Sequence, residues 1–259
     1  MKLNYQPILS AVLISFLINF QPVKGQVTNS NSGIPKSSPG YKINWTSNPF
    51  DHQLFIENQG QFTGPENGDK ILYGAQLGNM YVFITPHGLV YKYTEHPEVH
   101  ISPDKKHYQM VDPDEINPKD KPIDHYLSAI WEGSNNNVSI VAGEEQTYYY
   151  TYPGDYGKST IKANVFKTVT CKNVYPGIDI KYVFPDGKSG FKYSLIVHPG
   201  ADLSLVKLKY DGAKKLTVDK DGNIDIKSGW GQFVDHAPVS FYDGDHSPVV
   251  SSYLLNDNE

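Results

Sequence analysis

Residues 178–184, Ile-Asp-Ile-Lys-Tyr-Val-Phe, place apolar side chains at every second position. A period of two residues is typical of a β-strand with one face buried. The same period recurs at Phe191–Val197 and at Val206–Tyr210. Short segments containing Gly or Pro separate these runs, and both residues favour tight turns. This part of the chain therefore predicts successive antiparallel strands.

Strand-like runs also occur on both sides of this region. The turn-forming segment Asp219–Asn223 lies between two short apolar runs, which predicts a β-hairpin. Further strands are predicted at Ile71–Ala75, Met80–Thr85, Leu89–Tyr93, Lys106–Val111 and Val249–Leu255. No long stretch has a helical period. We therefore expect an all-β fold, an antiparallel β-sandwich over residues 50–259. It forms either one large domain or two packed β subdomains, divided near residues 112–122 or 153–164.

The N-terminal residues 1–25 have the pattern of a cleavable secretory signal peptide. A positive charge precedes an apolar run from Pro7 to Phe20, and Val23 and Gly25 supply the small residues before the expected cut. The run is shorter than the ~20 apolar residues of a membrane-spanning helix. We therefore expect an exported protein, located in the periplasm, at the cell surface or outside the cell, with no transmembrane segment after cleavage. Residues 26–49, rich in Ser, Asn, Gly and Pro, are expected to form a flexible leader.

The composition excludes two classes of protein. All 23 basic residues are lysines, and the net charge is −5. Because a negative chain without arginine is poorly suited to phosphate groups, we expect no nucleic-acid partner. Cys171 is the only cysteine, so the chain cannot be a disulfide-stapled scaffold. The strand-like residues before Cys171 indicate a half-buried core position rather than a nucleophile.

Three motifs that could carry chemistry fail on inspection. The segment Asp219–Asp225 alternates acidic and amide residues like a calcium loop, but it lacks the Gly and Glu positions of an EF-hand. The segment Gly154–Thr160 has two residues where a phosphate-binding loop needs four between its glycines. No Gly-x-Ser-x-Gly nucleophile motif occurs. We expect no catalytic residue and no cofactor.

The remaining metal-ligand candidates are His96, Glu98 and His100. Alternate residues of a strand point to the same face, so these three side chains could share one cation. Pro97, however, disfavours a regular strand at this point. We prefer to interpret the segment as a solvated polar strand or loop, with the metal site as the alternative.

The strands and turns together form a series of motifs from about Phe50 to the end of the chain. The motifs include FIENQGQF at residues 55–62, VYPGIDIKY at 174–182, FKYSLIVHPGAD at 191–202 and LKYDGA at 208–213. With these motifs the chain resembles the N-terminal β domain of large cell-surface proteins of the Bacteroidota. Such proteins often carry SBBP β-propeller-type or PKD repeats, and many end in a gliding-motility-associated or type IX secretion sorting domain.

The resemblance implies a secreted or surface-displayed β domain of unknown function, without an activity or catalytic residues. The positions that carry it are mostly of fold-forming types. They are Glu57, Asn58, Gly60, Tyr175, Pro176, Gly177, Asp179, Pro199, Gly200, Asp202 and Gly212. No repeats and no sorting domain follow the last predicted strand. We therefore expect either a fragment of a longer surface protein or a reduced member of the family.

Three functions remain open. The first is a non-catalytic module for adhesion or ligand binding, the N-terminal part of a larger surface protein, with an extracellular glycan or a surface protein as partner. The second is a purely structural cap for downstream repeats. The third is a carbohydrate-active enzyme, because 19 Tyr and 3 Trp suit stacking on sugars and the chain has many carboxylates. We favour the first.

Overall fold

The structure, a computed structural model, describes residues 12–22, 53–96, 121–154, 159–185 and 190–256. Strands make up more than half of the described residues. The expected all-β fold is therefore confirmed, as a large antiparallel sheet consistent with a sandwich. No helix in these residues is long and apolar enough to cross a membrane.

Within the described ranges the chain forms sixteen strands. They are β1 (Val12–Pro22), β2 (Phe55–Glu57), β3 (Tyr73–Leu77), β4 (Met80–Thr85), β5 (Gly88–Glu95), β6 (Ile123–Trp131), β7 (Ser139–Gly154), β8 (Ser159–Tyr175), β9 (Ile178–Val183), β10 (Phe191–Val197), β11 (Leu208–Asp211), β12 (Lys215–Val218), β13 (Ile224–Lys227), β14 (Gly231–Asp235), β15 (Val239–Tyr242) and β16 (Pro248–Val249). A short 3₁₀ helix, Leu203–Leu205, precedes β11.

The strands form one continuous sheet in the order β11-β6-β5-β4-β3-β2-β8-β9-β10-β1-β14-β13-β12, with β7 beside β8 and β15 beside β1. The sheet folds over on itself, because side chains of its first half pack on those of its second half. The rings of Tyr91 in β5 and Phe233 in β14 are 5.1 Å apart. Those of Trp131 in β6 and Tyr193 in β10 are 5.4 Å apart. The two layers therefore enclose one main core.

The apolar residues whose alternation predicted the strands are buried in the structure. In β9, Ile178, Ile180 and Tyr182 are buried in the main core. In β10 the buried residues of the same cluster are Phe191, Tyr193 and Leu195. Apolar burial is the dominant force that favours folding, so the period-two segments supply the central strands.

The predicted hairpin between two short apolar runs is confirmed, since β12 and β13 pair from Lys215–Lys227 to Val218–Ile224. The Asp219 carboxylate accepts hydrogen bonds within this turn. Its Oδ1 accepts the backbone N–H groups of Asp221 and Asn223 at 2.8 and 3.0 Å. A carboxylate that accepts local backbone hydrogen bonds stabilises a turn, in agreement with the rejection of a calcium loop.

The predicted strand Val249–Leu255 is wrong beyond its first residue, because β16 ends at Val249. Residues 250–256 form no strand. The Tyr253 hydroxyl instead donates to the His236 carbonyl at 3.2 Å, which anchors this segment through a side chain. The predicted strand Lys106–Val111 lies outside the described residues.

The two longest strands, β7 and β8, form a hairpin that the sequence indicates only at Val165–Cys171. They pair from Ser139–Lys172 to Gly154–Ser159. Most of β7 is exposed, and Gly154 is its one buried residue. Because little of β7 is buried, its sequence carries no alternation of apolar and polar residues. Residues 153–154 are the end of β7, and residues 159–164 are the beginning of β8.

Residues 12–20 of the apolar run of the predicted signal peptide lie in the sheet, in β1. Its backbone pairs antiparallel with β10 over Val12–Ile18. At its other edge it pairs with β14 over Ile18–Pro22 and with β15 over Val12–Ser15. Strand β1 thus has neighbours on both sides. The predicted leader, residues 26–49, lies outside the described residues.

Candidate binding surface

The first group of motif residues shapes the loop after β2, which ends at Glu57. The Asn58 side chain makes four hydrogen bonds in this loop. Its Nδ2 donates to the carbonyls of Phe62 and Ile71 at 3.2 and 3.0 Å. Its Oδ1 accepts the N–H groups of Gly60 and Phe62 at 3.0 and 3.1 Å. Gly60 has φ +108°, a conformation that favours glycine.

The second group centres on Asp179, whose side chain is 7 % exposed. Its carboxylate accepts a hydrogen bond from Lys172 at 2.8 Å and one from the backbone N–H of Asn173 at 2.7 Å. His198 Nε2 lies 3.0 Å from Oδ2. Burial by itself raises the pKa of Asp179, but these hydrogen bonds outweigh it and hold the pKa below its ordinary value. Asp179 therefore ties β8, β9 and the end of β10 together.

The turn after β8 and the segment after β10 also contact each other. Tyr175, Pro176 and Gly177 lie in the turn, and the Gly177 carbonyl accepts the backbone N–H of His198 at 2.8 Å. The Tyr175 hydroxyl donates to the Glu132 carbonyl at 2.8 Å. These motif residues are brought together by the fold, and their contacts hold turns in place.

The last motif residues also have structural contacts. Pro199 and Gly200 form the turn after β10, where Gly200 has φ +84°. Asp202 Oδ1 accepts the N–H of Ser204 at 2.9 Å and so caps the 3₁₀ helix. At Gly212, with φ +88°, a β-carbon would lie 3.0 Å from the carbonyl oxygen of Tyr126. The motif residues that carry the resemblance thus mainly hold turns and strands of the fold in place.

Replacing Asp179 by alanine is expected to lower the free energy of unfolding at pH 7 by about 2 kcal/mol. The change leaves the backbone N–H of Asn173 and the Lys172 ammonium without their acceptor. Urea-induced unfolding followed by tryptophan fluorescence measures the loss. Asp202→Ala is the control, because that exposed carboxylate caps a three-residue helix and should matter less. Equal losses for the two variants would contradict the role given to Asp179.

The residues considered for metal binding and for nucleophilic attack do not form a site in the described chain. His96 is exposed directly after β5, and Glu98 and His100 lie outside the described residues. In the part that is described, no three His, Cys, Asp or Glu side chains are grouped to hold a metal. Cys171 is buried in the main core, and burial raises the pKa of its thiol to about 12. A thiol with that pKa is protonated at neutral pH and is a poor nucleophile.

A line of aromatic side chains runs from the β7–β8 hairpin to the loop after β2, and we call it the aromatic row. It consists of Tyr148, Tyr150, Tyr152, Phe62 and Tyr81. Ring centroids are 6.4 Å apart for Tyr148 and Tyr150, 5.9 Å for Tyr152 and Phe62, and 6.0 Å for Phe62 and Tyr81. Tyr148 is 39 % exposed, and the other four are half-buried. The row therefore presents aromatic surface to solvent.

A β-bulge places Tyr148 in this row. The pairing of β7 with β8 shifts between Glu145 and Tyr149, and Glu144 has φ +56°. A bulge bends a strand and redirects the side chains next to it. Tyr150 and Tyr152 rest on a small cluster formed by Leu54, Ile56, Ala163 and Val165. The aromatic row thus packs against a second, smaller hydrophobic core.

An open cleft of about 510 Å³ lies beside the row and shares Phe62 with it. The cleft is lined by Asn58, Gln59, Gly60, Phe62, Thr63, Gly64, Pro65, Gly68, Asp69, Lys70 and Ile71. Phe62 can lie flat against β3 because Gly74 has no side chain; a β-carbon there would come within 2.7 Å of the ring. The motif residues Asn58 and Gly60 therefore shape one wall of this cleft.

Tyr148 and Tyr152 keep their hydroxyl protons at physiological pH. Burial raises the pKa of Tyr148, with a smaller contribution from Tyr150. Burial likewise raises the pKa of Tyr152, followed by the effects of Tyr81 and Tyr150. Tyr148 and Tyr152 thus offer neutral hydroxyl groups, which donate and accept hydrogen bonds, beside apolar ring faces.

The neighbouring Tyr149 has different surroundings from Tyr148. It is 51 % exposed, and the Lys162 ammonium lies 4.9 Å from its ring centroid. This distance is within the range of a cation–π contact, which already covers one face of the ring. Tyr149 and Tyr148 thus have the same chemistry and similar exposure but different surroundings.

The comparison with known families gives a match over residues 55–259, to the family described as a domain of unknown function, DUF7948. The chain belongs to the DUF7948 family. The match begins at the first residue of β2 and includes every motif named above, so the prediction of a β domain of unknown function is confirmed. No curated protein matches the chain, and no solved structure does.

The DUF7948 domain also contains a buried polar cluster that we did not predict. Asp235 in β14 is fully buried, and its Oδ2 accepts hydrogen bonds from Tyr193 at 2.7 Å and Tyr210 at 2.6 Å. Oδ1 of Asp235 and the Tyr91 hydroxyl are both buried, with no partner within the described residues. Burial raises the pKa of Asp235 to about 6, against the lowering effect of the tyrosine hydroxyls. The cluster links β10, β11 and β14 across the core.

Proposed function

We propose that this DUF7948 domain is a non-catalytic, exported ligand-binding module and that its ligand is an extracellular glycan. The observation that carries the proposal is the aromatic row beside a polar cleft. Aromatic rings combine a large apolar face with a defined geometry, and such faces stack on the apolar faces of sugar rings. Gln59, Asp69 and Lys70 line the adjoining cleft and can hydrogen-bond to sugar hydroxyls.

The geometry suits an extended oligosaccharide that lies along the row. The centroid distances of 5.9 Å between Tyr152 and Phe62 and 6.4 Å between Tyr148 and Tyr150 allow neighbouring sugar rings to contact neighbouring side chains. The cleft of about 510 Å³ has the size of an ordinary small-molecule site, roughly 300–1,000 Å³. One end of a bound chain would lie in the cleft, and the rest would lie on the exposed tyrosines.

A non-catalytic role is supported by the contacts of the residues that could react. Cys171 is buried, Asp179 is engaged by three donors, and Asp235 is enclosed by tyrosines. The carbohydrate-active enzyme considered from the composition would need two carboxylates on opposite sides of a bound sugar. The row supplies aromatic rings and hydroxyls instead, so we place the domain among binding modules.

We further propose that the module is displayed outside the cytoplasm as the N-terminal part of a larger surface protein. The signal-peptide pattern of residues 1–25 supports export. The motif series resembles surface proteins of the Bacteroidota with SBBP or PKD repeats and gliding-motility-associated or type IX sorting domains. In such a protein the aromatic row would act in adhesion to a glycan surface.

Replacing Tyr148 by alanine is expected to weaken glycan binding about tenfold, because a stacking ring contributes about 1.4 kcal/mol. A glycan array probed with the exported protein identifies the ligand, and titration calorimetry then measures the affinities. Tyr149→Ala is the matched control, since the two tyrosines are neighbours with similar exposure, and it should bind like the parent. If the parent protein binds no glycan, or if both variants lose affinity equally, the proposal fails.

A further inference from the structure

The strand β1 fills a central position in the sheet but is not part of the family domain. It covers Val12–Pro22, whereas the DUF7948 match begins at residue 55. β10 and the strands β14 and β15 contact each other through β1, not directly. The family domain alone therefore has a gap one strand wide in its second layer. Given the usual spacing of strands, the gap is about 10 Å across.

The gap has the chemistry of a strand-binding site, and we call it the slot. One wall is β10, whose residues Phe191, Tyr193 and Leu195 are buried in the main core. The other wall is β14 together with β15, along the backbone that registers with Val12–Pro22. Both walls present backbone N–H and C=O groups that need partners. Buried backbone groups without partners are costly, so an empty slot is unfavourable.

The expected cut after Gly25 would remove the strand that fills the slot. Residues 1–25 carry the signal-peptide pattern, and they include the whole of β1. The next residues, 26–49, are rich in Ser, Asn, Gly and Pro. These residues have low strand propensity and are poor substitutes for an apolar strand.

We propose that the slot of the exported protein is a binding site for a β-strand donated by another polypeptide. The donated segment runs antiparallel to β10, is about as long as β1, and is apolar and uncharged, as Val12–Pro22 is. Recognition of this kind uses backbone hydrogen bonds for affinity and neighbouring side chains for specificity. The slot lies in the second layer of the sheet, so this site is distinct from the aromatic row. The proposal rests on removal of residues 1–25, and it does not depend on glycan binding.

The first measurement is the mass of the protein recovered from the periplasm after expression from its own first codon. We expect a mature chain that begins at Gln26. If the recovered protein retains residues 12–22, its own strand occupies the slot and the proposal is overturned.

The second measurement adds a synthetic peptide of residues 12–22 with a solubilising lysine tail to the mature protein. At saturation the peptide is expected to raise the midpoint of thermal unfolding by about 5 °C or more. A control peptide with Ile14→Pro and Phe16→Pro should have no effect, because proline cannot donate backbone hydrogen bonds in a central strand. If the mature protein unfolds without cooperativity on its own, refolding with the first peptide should restore a cooperative transition. Failure of the first peptide in both forms of the assay overturns the proposal.

The third measurement tests the register of the bound strand by disulfide cross-linking. Ser15 registers with Ser194, and Leu17 registers with Lys192. A peptide carrying Ser15→Cys should therefore cross-link to the Ser194→Cys protein and much less to the Lys192→Cys protein, because directly opposed residues come within disulfide range. Cys171 is buried and should not compete. Equal cross-linking of both proteins would exclude binding in the slot.

Discussion

Replacing Gly88 by alanine is expected to destabilise the domain by about 3–5 kcal/mol, the combined cost of backbone strain and steric overlap. Gly88 begins β5 with φ +154°, a conformation that side chains rarely adopt. A β-carbon at this position would lie 2.1 Å from the backbone oxygen of Ala129 in β6. Neither atom can move without disrupting the pairing of β5 with β6, which continues from Gly88–Ile130 along the strand.

Thermal unfolding followed by circular dichroism checks this expectation, and the midpoint should fall by about 10 °C. Gly78→Ala is the matched control. Gly78 also has a positive φ, +62°, but a β-carbon there would meet nothing within 4 Å. Its substitution should therefore cost only about 1 kcal/mol, the strain of the left-handed conformation. A Gly88 variant as stable as the Gly78 variant would show that β5 and β6 are not paired in this register.

The buried Asp235 is expected to contribute less to the stability of the protein at neutral pH than at pH 4. Burial raises the pKa of Asp235 from 3.8 to about 6 in the folded state. A raised pKa means that the folded state binds the proton more tightly than the unfolded chain. The stabilisation by this proton is fully present below pH 4 and is lost as the pH rises through 6. A shift of about two pKa units corresponds to about 3 kcal/mol.

Urea unfolding of the parent and of Asp235→Asn between pH 3.5 and pH 8 measures this effect. The difference in unfolding free energy between the two proteins should change by about 3 kcal/mol over this range, in favour of the variant at high pH. The groups around Asp235 are tyrosines, which stay neutral throughout; they are Tyr91, Tyr193, Tyr210 and Tyr253.

Asp179→Asn provides the opposite sign when the same measurement is extended below pH 3.5. The pKa of Asp179 is lowered in the folded state, so its contribution is present above pH 4 and disappears as the pH falls further. A parent protein whose stability relative to Asp235→Asn is constant with pH would show that Asp235 is not buried as the structure has it.

The sequence predicts the strands of this fold where one face is buried and the other is solvated. In β9 and β10 the alternation follows directly from the position of each strand in a two-layered sheet. The hairpin at Asp219–Asn223 is predictable because its turn chemistry is local. By contrast, β7 is exposed over most of its length, so tertiary burial leaves no pattern in its sequence.

The candidate sites were harder to predict because they depend on contacts between distant residues. The tyrosines at positions 148–152 are visible in the sequence, but their alignment with Phe62 requires the pairing of β2 with β8. Asp235 had one local signal, since it shares a buried face with Gly231 and Phe233. The enclosing tyrosines Tyr193 and Tyr210 come from other strands. The turn motifs identify the family, and these sites follow from the three-dimensional fold.

The long hairpin also has a mechanical consequence. β8 has 17 residues and so extends about 55 Å as a single strand. Its first part carries the support for the aromatic row, and its last part, near Cys171 and Tyr175, lies in the main core. A pulling force on a ligand held at the row would therefore travel along one strand into the core. That force would load the hydrogen bonds to β2 and β9 in shear, where many bonds resist together rather than opening one by one.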